Sequence, residues 1–196
     1  MDTDMSFLLI AGSPTQPSRS ATLLKQASLQ LARSQHHVTQ LDIRALDSQA
    51  LVLADFSHPA ITRATQQLEQ AKGVIIATPI YKAAYSGLLK IFLDLLPQTA
   101  LRGKSVLPLA TGGSPHHMLA LDYALRPVLH ALGANDILPG VYATDAQITR
   151  LPEGGYMLAP DLATRLSSAI DSLQSSALPA TGSFASVAFH EVQLST

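Results

Sequence analysis

The run Gly73–Thr78, GVIIAT, is apolar throughout, and it restricts the fold of this chain more than any other feature. A strand without polar alternation is typical of a parallel sheet that helices cover on both faces. Four further runs have strand character, at Phe7–Ala11, His37–Leu41, Ser105–Ala110 and Ile137–Tyr142. Helical periodicity occupies about residues 19–33, 60–71, 86–96, 117–132 and 160–176. The alternation predicts an α/β fold with a doubly wound, five-stranded parallel sheet in the order 2-1-3-4-5.

Composition excludes several classes of protein. A hydrophobic content of 47% with 14% charged residues excludes a disordered chain, and a net charge of −1 without a basic tract argues against nucleic acid as a partner. The absence of cysteine excludes disulfides and thiolate chemistry. The apolar run near the N-terminus is too short for a signal peptide or a membrane span, so we expect a cytoplasmic protein. We expect one domain over residues 1–176 and a tail over 177–196, either mobile or packed on a neighbouring subunit.

Familiar nucleotide-binding and catalytic loops are missing from the strand ends. Gly12 stands alone where a dinucleotide fingerprint needs three glycines. The GKS at Gly103–Ser105 lacks the earlier glycine of a phosphate-binding loop, because Gln98 holds that position, and it precedes a strand. The chain also lacks a G-x-S-x-G nucleophile elbow.

The loop after the first strand, GSPTQPSRS, indicates a mononucleotide held by its phosphate. Ser13, Ser18, Arg19 and Ser20 supply hydroxyls and a guanidinium at the start of a helix, where free N–H groups favour an anion. A second interpretation is an ordinary N-cap serine beside a solvated arginine. The loops after strands three and four favour the first, because a ligand at the switch point of this sheet touches those strand ends.

Three segments together carry a resemblance to a known family. They are GSPTQPSRSATLL, TPIYKAAYSGLLKIFLDLLP and LPLATGGSPHHMLALDYALRPVL. Over roughly residues 5 to 175 the chain resembles the NAD(P)H-dependent FMN reductases of two-component alkanesulfonate monooxygenase systems. The resemblance implies a flavodoxin-like fold, FMN and NADPH (or NADH) as ligands, and a partner monooxygenase that receives reduced FMN and releases sulfite from sulfonates.

The resemblance also implies roles for individual residues. The phosphate loop corresponds to Ser13, Ser18, Arg19 and Ser20, with Thr15 where the family often has a second basic residue and Ala21 where a serine is common. The loop beside the isoalloxazine corresponds to Thr78, Pro79, Ile80, Tyr81 and Lys82, which Ser86 and Gly87 close. The pyrimidine edge corresponds to Thr111, Gly112 and Gly113.

Tyrosines and histidines near these loops admit two interpretations each. Tyr81 and Tyr85 form either a flavin wall or part of the core. His116 and His117 follow strand four, near the expected flavin edge, whereas adjacent histidines without a spaced carboxylate do not indicate a metal site. Hydride transfer from nicotinamide to flavin requires that the two rings are positioned against each other, not that an acid–base pair is present. We therefore predict no catalytic acid–base pair.

Two helices indicate self-association. In the segments LLKIFLDLLP and MLALDYALRPVLHAL the polar residues lie four apart, so each helix has one narrow polar stripe and is otherwise apolar. A surface helix of a monomer normally has a wider polar face, so we predict a homodimer or homotetramer. Pro127 lacks an N–H, so the carbonyl of Tyr123 loses its helical partner and a bulge is expected there. The resemblance implies a short π-helix at this place. Tyr123 is then either an interface aromatic or a residue that assists flavin transfer across the interface.

Two other functions fit the same sheet. One is a quinone or azo reductase, which differs in its electron acceptor. The other is an electron-transfer flavodoxin, which a net charge of −1 disfavours because flavodoxins are usually strongly acidic.

Overall fold

A computed structural model describes residues 5–178 of the chain. The predicted tail lies outside the described residues, apart from Ala177 and Leu178, and its boundary stays a prediction. Within residues 5–178, none of the helices combines the length and the apolar character that crossing a bilayer requires.

A central sheet of parallel strands organises the molecule. Its strands are β1 (Ser6–Ala11), β2 (His37–Asp42), β3 (Gly73–Tyr81), β5 (Ser105–Gly112), β6 (Asp136–Ile137) and β7 (Val141–Thr144), and β4 (Ala84–Tyr85) folds back antiparallel on the end of β3. The order is β2-β1-β3-β5, followed by β6 and β7, which both pair with β5 in parallel. The predicted order 2-1-3-4-5 is therefore confirmed, with the fifth position shared between two short strands.

The predicted single strand Ile137–Tyr142 is wrong in detail, and the intervening residues explain the break. Pro139 has no N–H to donate to the ladder. At Gly140 a Cβ would lie 2.7 Å from Leu121 Cδ1, so a neighbouring element approaches the backbone too closely for a side chain. The strand therefore stops at Ile137 and resumes at Val141.

Helices cover both faces of the sheet, as predicted. The structure contains α1 (Arg19–Arg33), α2 (Ser48–Val52), α3 (Pro59–Gln70), α4 (Gly87–Asp94), α5 (Arg126–Ala131) and α6 (Pro160–Ala177). Alternate strand residues face opposite layers. Leu8, Ile10 and Ile76 belong to the core with α3, α4 and α5, whereas Phe7, Leu9 and Ile75 belong to the core with α1 and α6.

The predicted helix over 117–132 is not one regular helix. A single 3₁₀ turn at Pro115–His117 leads to a π-helix at Leu121–Leu125, and α5 follows directly. The Arg126 N–H donates to the carbonyl of Leu121, five residues earlier, which is the π-helical spacing. The bulge expected from Pro127 is therefore confirmed.

Sequence periodicity also missed two small elements. The helix α2 follows β2 where only a connection was expected. The hairpin of β8 (Ile148–Arg150) and β9 (Tyr156–Leu158) lies between the last strand of the sheet and α6. This hairpin matters because it reaches the candidate site.

A buried hydrogen-bond network joins the carboxyl ends of β1 and β3. Ser86 caps α4, since the Leu89 N–H donates to its Oγ (3.1 Å), and the same hydroxyl donates to the carbonyl of Gly12. The Ser86 N–H donates to Thr78 Oγ1 (3.0 Å), and the Gly12 N–H donates to the carbonyl of Ala77 (2.8 Å). The residue after β1, the end of β3 and the start of α4 are thereby held together.

Replacing the hydroxyl of Ser86 tests this network. Ser86→Ala removes the cap of α4 and leaves the buried Gly12 carbonyl without its donor, so we expect the free energy of unfolding to fall by about 1–3 kcal/mol. Urea denaturation measures the change. As a control, Ser175→Ala removes an exposed helical hydroxyl and is expected to change stability by less than about 0.5 kcal/mol. Equal losses for the two variants would contradict the role given to Ser86.

Candidate functional site

Three connections meet in a cavity at the carboxyl ends of β1, β3 and β5. The cavity is lined by Ser13, Thr15, Pro17, Ser18, Arg19, Ser20, Pro79, Ile80, Tyr81, Thr111, Gly112, Gly113, Asp145 and Tyr156. All of the predicted cofactor residues belong to this lining except Thr78, Lys82, Ser86 and Gly87. The strand-end argument therefore located a real cavity, at the switch point where such sheets bind ligands.

A larger groove of about 640 Å³ lies between α1, α6 and the β8–β9 hairpin. It shares Tyr156 with the switch-point cavity, but it lies along the helices rather than at the strand ends. We place the site in the smaller cavity because three strand ends and a helix N-terminus converge there.

Hydroxyl groups line the cavity at the start of α1. Ser18 is the N-cap of the helix, and its Oγ accepts from the Ala21 N–H (3.1 Å). Ser20 Oγ lies 3.4 Å from Ser18 Oγ, and the Thr15 N–H donates to Ser13 Oγ (3.2 Å). Ser18 is thus the helix N-cap that the first-strand loop also allowed, and it lines the cavity as the interpretation of a phosphate-binding loop requires.

Arg19 does not extend freely into solvent. Its Nε donates to the carbonyl of Ile148 (3.1 Å), and its Nη1 lies 3.5 Å from Asp145 Oδ2. Its guanidinium carbon lies 5.4 Å from the centre of the Tyr156 ring, within the range of a cation–π contact. The side chain is therefore oriented by the segment that follows β7.

The second wall comes from the end of β3 and the turn beyond it. Pro79, Ile80 and Tyr81 line the cavity as strand residues, because β3 runs three residues further than predicted. Lys82 and Ala83 both have positive φ, 50° and 63°, and form the tight turn into β4. Left-handed turn residues suit a two-residue hairpin, although neither is the glycine or asparagine that signals one in sequence.

The four predicted residues outside the lining have other places in the structure. Thr78 and Ser86 are buried in the hydrogen-bond network described above, and Gly87 is the first residue of α4. Lys82 is exposed in the turn. Their predicted role in cofactor binding stays a prediction, and Thr78 and Ser86 support the lining from behind.

The hairpin also separates the two tyrosines that were considered as one wall. Tyr81 pairs with Ala84, and Tyr85 pairs with Ile80, so adjacent pairs send the two rings to opposite faces. Tyr81 lines the cavity and is about half exposed, whereas Tyr85 packs against the core, where burial raises the pKa of its hydroxyl.

Close backbone packing forms the third wall, at the end of β5. A Cβ on Gly112 would lie 2.5 Å from Tyr142 Oη, so a side chain there would displace the Tyr142 hydroxyl. Burial, and then the charge of Asp145, raises the pKa of the Tyr142 phenol. The hydroxyl accordingly remains a donor, and it donates to the carbonyl of Ser114 (2.5 Å), which holds the connection after β5. His116 and His117 lie in the next turn and are not among the lining residues.

Sequence reasoning missed Thr15, Pro17, Asp145 and Tyr156. Asp145 directly follows the last parallel strand, so the same strand-end argument could have found it. Thr15 and Pro17 lie inside the quoted loop. Tyr156 gave no signal, because it reaches the cavity from a hairpin that periodicity did not predict.

Comparisons with known proteins agree with this arrangement. The family model of NADPH-dependent FMN reductases matches residues 5–149. An FMN reductase (NADPH) of Escherichia coli K12 is 48% identical over 167 residues, covering 85% of this chain and 87% of that protein. An NADH-dependent FMN reductase, SfnE of Pseudomonas putida, is 30% identical over 151 residues, covering 76% of this chain and 81% of that protein.

A solved structure is also similar. The crystal structure of an apo NADH:FMN oxidoreductase (EmoB) has a TM-score of 0.79 and 43% identity, covering 88% of this chain and 89% of that one. The matched family residues include the connections after β1, β3 and β5, which form the cavity. The chain belongs to the family of NADPH-dependent FMN reductases.

Proposed function

We propose that this protein reduces FMN with NADPH or NADH and passes the reduced flavin to a monooxygenase that desulfonates alkanesulfonates. The observation that carries the proposal is the cavity itself. One end presents hydroxyls, a guanidinium and a helix N-terminus, and the other end is walled by strand backbone and Tyr81. A polar end and a flat end suit a ligand with a phosphate and a ring system.

The residues at the start of α1 fit the phosphate. Ser18 and Ser20 bring hydroxyls together beside the first turn of the helix, whose N–H groups point towards an anion. Arg19 adds the positive charge that a phosphate dianion needs. Ser13 and Thr15 complete the polar end.

The residues at the ends of β3 and β5 fit the ring system. Gly112 and Gly113 allow close backbone approach, and near Gly113 a Cβ would meet only Asp145 Oδ2, at 3.9 Å. Pro79, Ile80 and Tyr81 form the facing wall. FMN supplies the redox chemistry when bound, since its ring accepts a hydride from the nicotinamide. The protein's part is to hold the ring and leave room beside the exposed Tyr81 for the nicotinamide.

The partner and its substrate rest on the family resemblance. The relatives' names include both NADPH- and NADH-dependent FMN reductases, which supports either nicotinamide for this chain. Reductases of the resembling two-component systems hand free reduced FMN to a monooxygenase. Residues 78–97 and 107–129, which carry that resemblance, include the two connections that wall the ring end of the cavity.

The apolar surface beside the π-helix supports self-association. Met118, Leu119 and Tyr123 are more than half exposed, and Tyr123 is the most exposed, at 79%. Ile91 of α4 adds a further exposed apolar side chain. We expect a second copy to cover this surface in a homodimer or homotetramer, with Tyr123 contacting the partner copy and assisting release of FMN.

A coupled assay tests the proposed function. Purified protein is mixed with NADPH or NADH and free FMN while the absorbance of the reduced nicotinamide is followed. We expect rapid oxidation with FMN alone, and sulfite release once an alkanesulfonate monooxygenase and a sulfonate are added. Oxidation of the nicotinamide only after addition of a quinone would instead indicate a quinone reductase. If the nicotinamide is not oxidised with any acceptor, the remaining candidate is an electron-transfer flavodoxin.

Arg19 provides a test of the phosphate end. Arg19→Ala is expected to weaken FMN binding by about 1.5–3 kcal/mol, the usual size of a charge-assisted hydrogen bond. Riboflavin lacks the phosphate, so its affinity should hardly change. Titration calorimetry with both flavins measures the difference, and equal losses would show that Arg19 is structural.

Tyr123 provides a test of the apolar surface. Tyr123→Ala is expected to change FMN release and steady-state turnover without loss of secondary structure, because its ring is exposed and packs little within one copy. Phe56→Ala, at a second exposed aromatic, is the matched control and should leave turnover unchanged. Light scattering that gives a stable monomer of 20.8 kDa at micromolar concentration would contradict the assembly.

A further inference from the structure

Asp145 is a carboxylate in a cavity whose other polar groups suit an anion. Its Oδ2 lies 3.5 Å from Arg19 Nη1 and faces Gly113. Because the proposed ligand carries a phosphate, a fixed negative charge beside Arg19 opposes its binding. This arrangement needs a reason other than affinity for the ligand.

The backbone around Asp145 is held in place. Asp145 begins a single 3₁₀ turn, where the Thr144 N–H donates to Gln147 Oε1 (3.1 Å). Gln147 in turn donates from Nε2 to Asp161 Oδ2 (2.7 Å), and the backbone carbonyl of Gln147 accepts from the Ala159 N–H (2.8 Å). The turn is thus tied to the start of α6, and the carboxylate is set beside Arg19.

Arg19 can exchange one partner without losing the others. Its Nε donates to the Ile148 carbonyl, and its guanidinium lies against Tyr156. A guanidinium has five N–H donors, so turning one edge from a carboxylate to a phosphate leaves the Nε bond intact. Both Arg19 and Asp145 are partly exposed, so their ion pair is weak enough to be displaced.

We propose that Asp145 is a positioning residue that competes with the flavin phosphate for Arg19 and thereby keeps FMN binding weak. This inference rests on the proposed function, in which reduced FMN has to leave for a partner enzyme. In the free protein the carboxylate holds the guanidinium at the cavity. When FMN enters, its phosphate replaces the carboxylate, and on release the carboxylate takes the guanidinium back.

Asp145→Asn tests the competition, since it removes the charge while keeping the shape. We expect FMN to bind about two- to fivefold more tightly and to dissociate correspondingly more slowly, from the usual range for exposed ion pairs. Flavin fluorescence titration and stopped-flow release measure both. Riboflavin affinity should not change. The matched control is Glu153→Gln, which removes one exposed negative charge from the nearby hairpin turn and should leave both affinities unchanged.

A tighter complex is a sharp outcome, because damage to the fold would weaken binding instead. Unchanged or weaker FMN binding by Asp145→Asn overturns the inference, as does an equal gain for riboflavin. In an Arg19→Ala background, Asp145→Asn should no longer tighten FMN binding, since Asp145 acts through Arg19. Tighter FMN binding that persists in this background overturns the inference as well.

The wild-type protein separates this inference from the proposed function. If it neither binds FMN nor oxidises NADPH or NADH in the presence of FMN, the proposed function fails. If it does both and Asp145→Asn binds FMN no more tightly, only the competition fails.

Discussion

The buried hydroxyl of Ser86 is the contact on which the geometry of the cavity depends. It joins α4 to the carbonyl of Gly12, while its backbone N–H joins Thr78 at the end of β3. The carboxyl ends of β1 and β3 border the cavity, so their separation decides where the loop after β1 lies relative to Pro79 and Tyr81. Buried polar groups must be paired, and this pairing is satisfied when the end of β1, the end of β3 and the start of α4 keep this arrangement. The network thus lies behind a lining that combines buried hydroxyls, such as Ser13 and Ser20, with the half-exposed Tyr81.

Hydrophobic periodicity was enough to predict the sheet order and the helices on both faces, because burial on two sides leaves continuous apolar strands such as β3. It failed where local chemistry overrides the pattern. Pro139 and Gly140 break the last strand, and the β8 and β9 strands, at three residues each, are too short to give a period. At the site, strand-end logic found Arg19 and Gly112 but not Tyr156, which depends on that hairpin. Burial cannot be read from a motif either, so the sequence did not show that Thr78 and Ser86 lie behind the lining rather than in it.

The cavity places opposite charges side by side, with Arg19 Nη1 3.5 Å from Asp145 Oδ2. A prosthetic group is best served by cations and N–H donors alone. Here the guanidinium of Arg19 already has a carbonyl, a carboxylate and an aromatic ring around it. Its surroundings therefore stabilise it in the absence of a ligand, which lowers the net gain from binding a phosphate. The proposed hand-over of reduced FMN requires such a weakly binding site.

The π-helix and the break between β6 and β7 contact each other. Arg126 directly follows the π-helix, and its Nη1 donates to the carbonyl of Ile137 (3.1 Å) while its Nη2 donates to that of Leu138 (3.4 Å). These carbonyls lie where Pro139 interrupts the strand, so the arginine supplies donors that the ladder does not. Gly140 in turn makes room for Leu121 at the start of the π-helix. The inner side of the bulge is thus bound to the sheet, and its outer side, with Tyr123, is directed towards solvent and is available to a second copy.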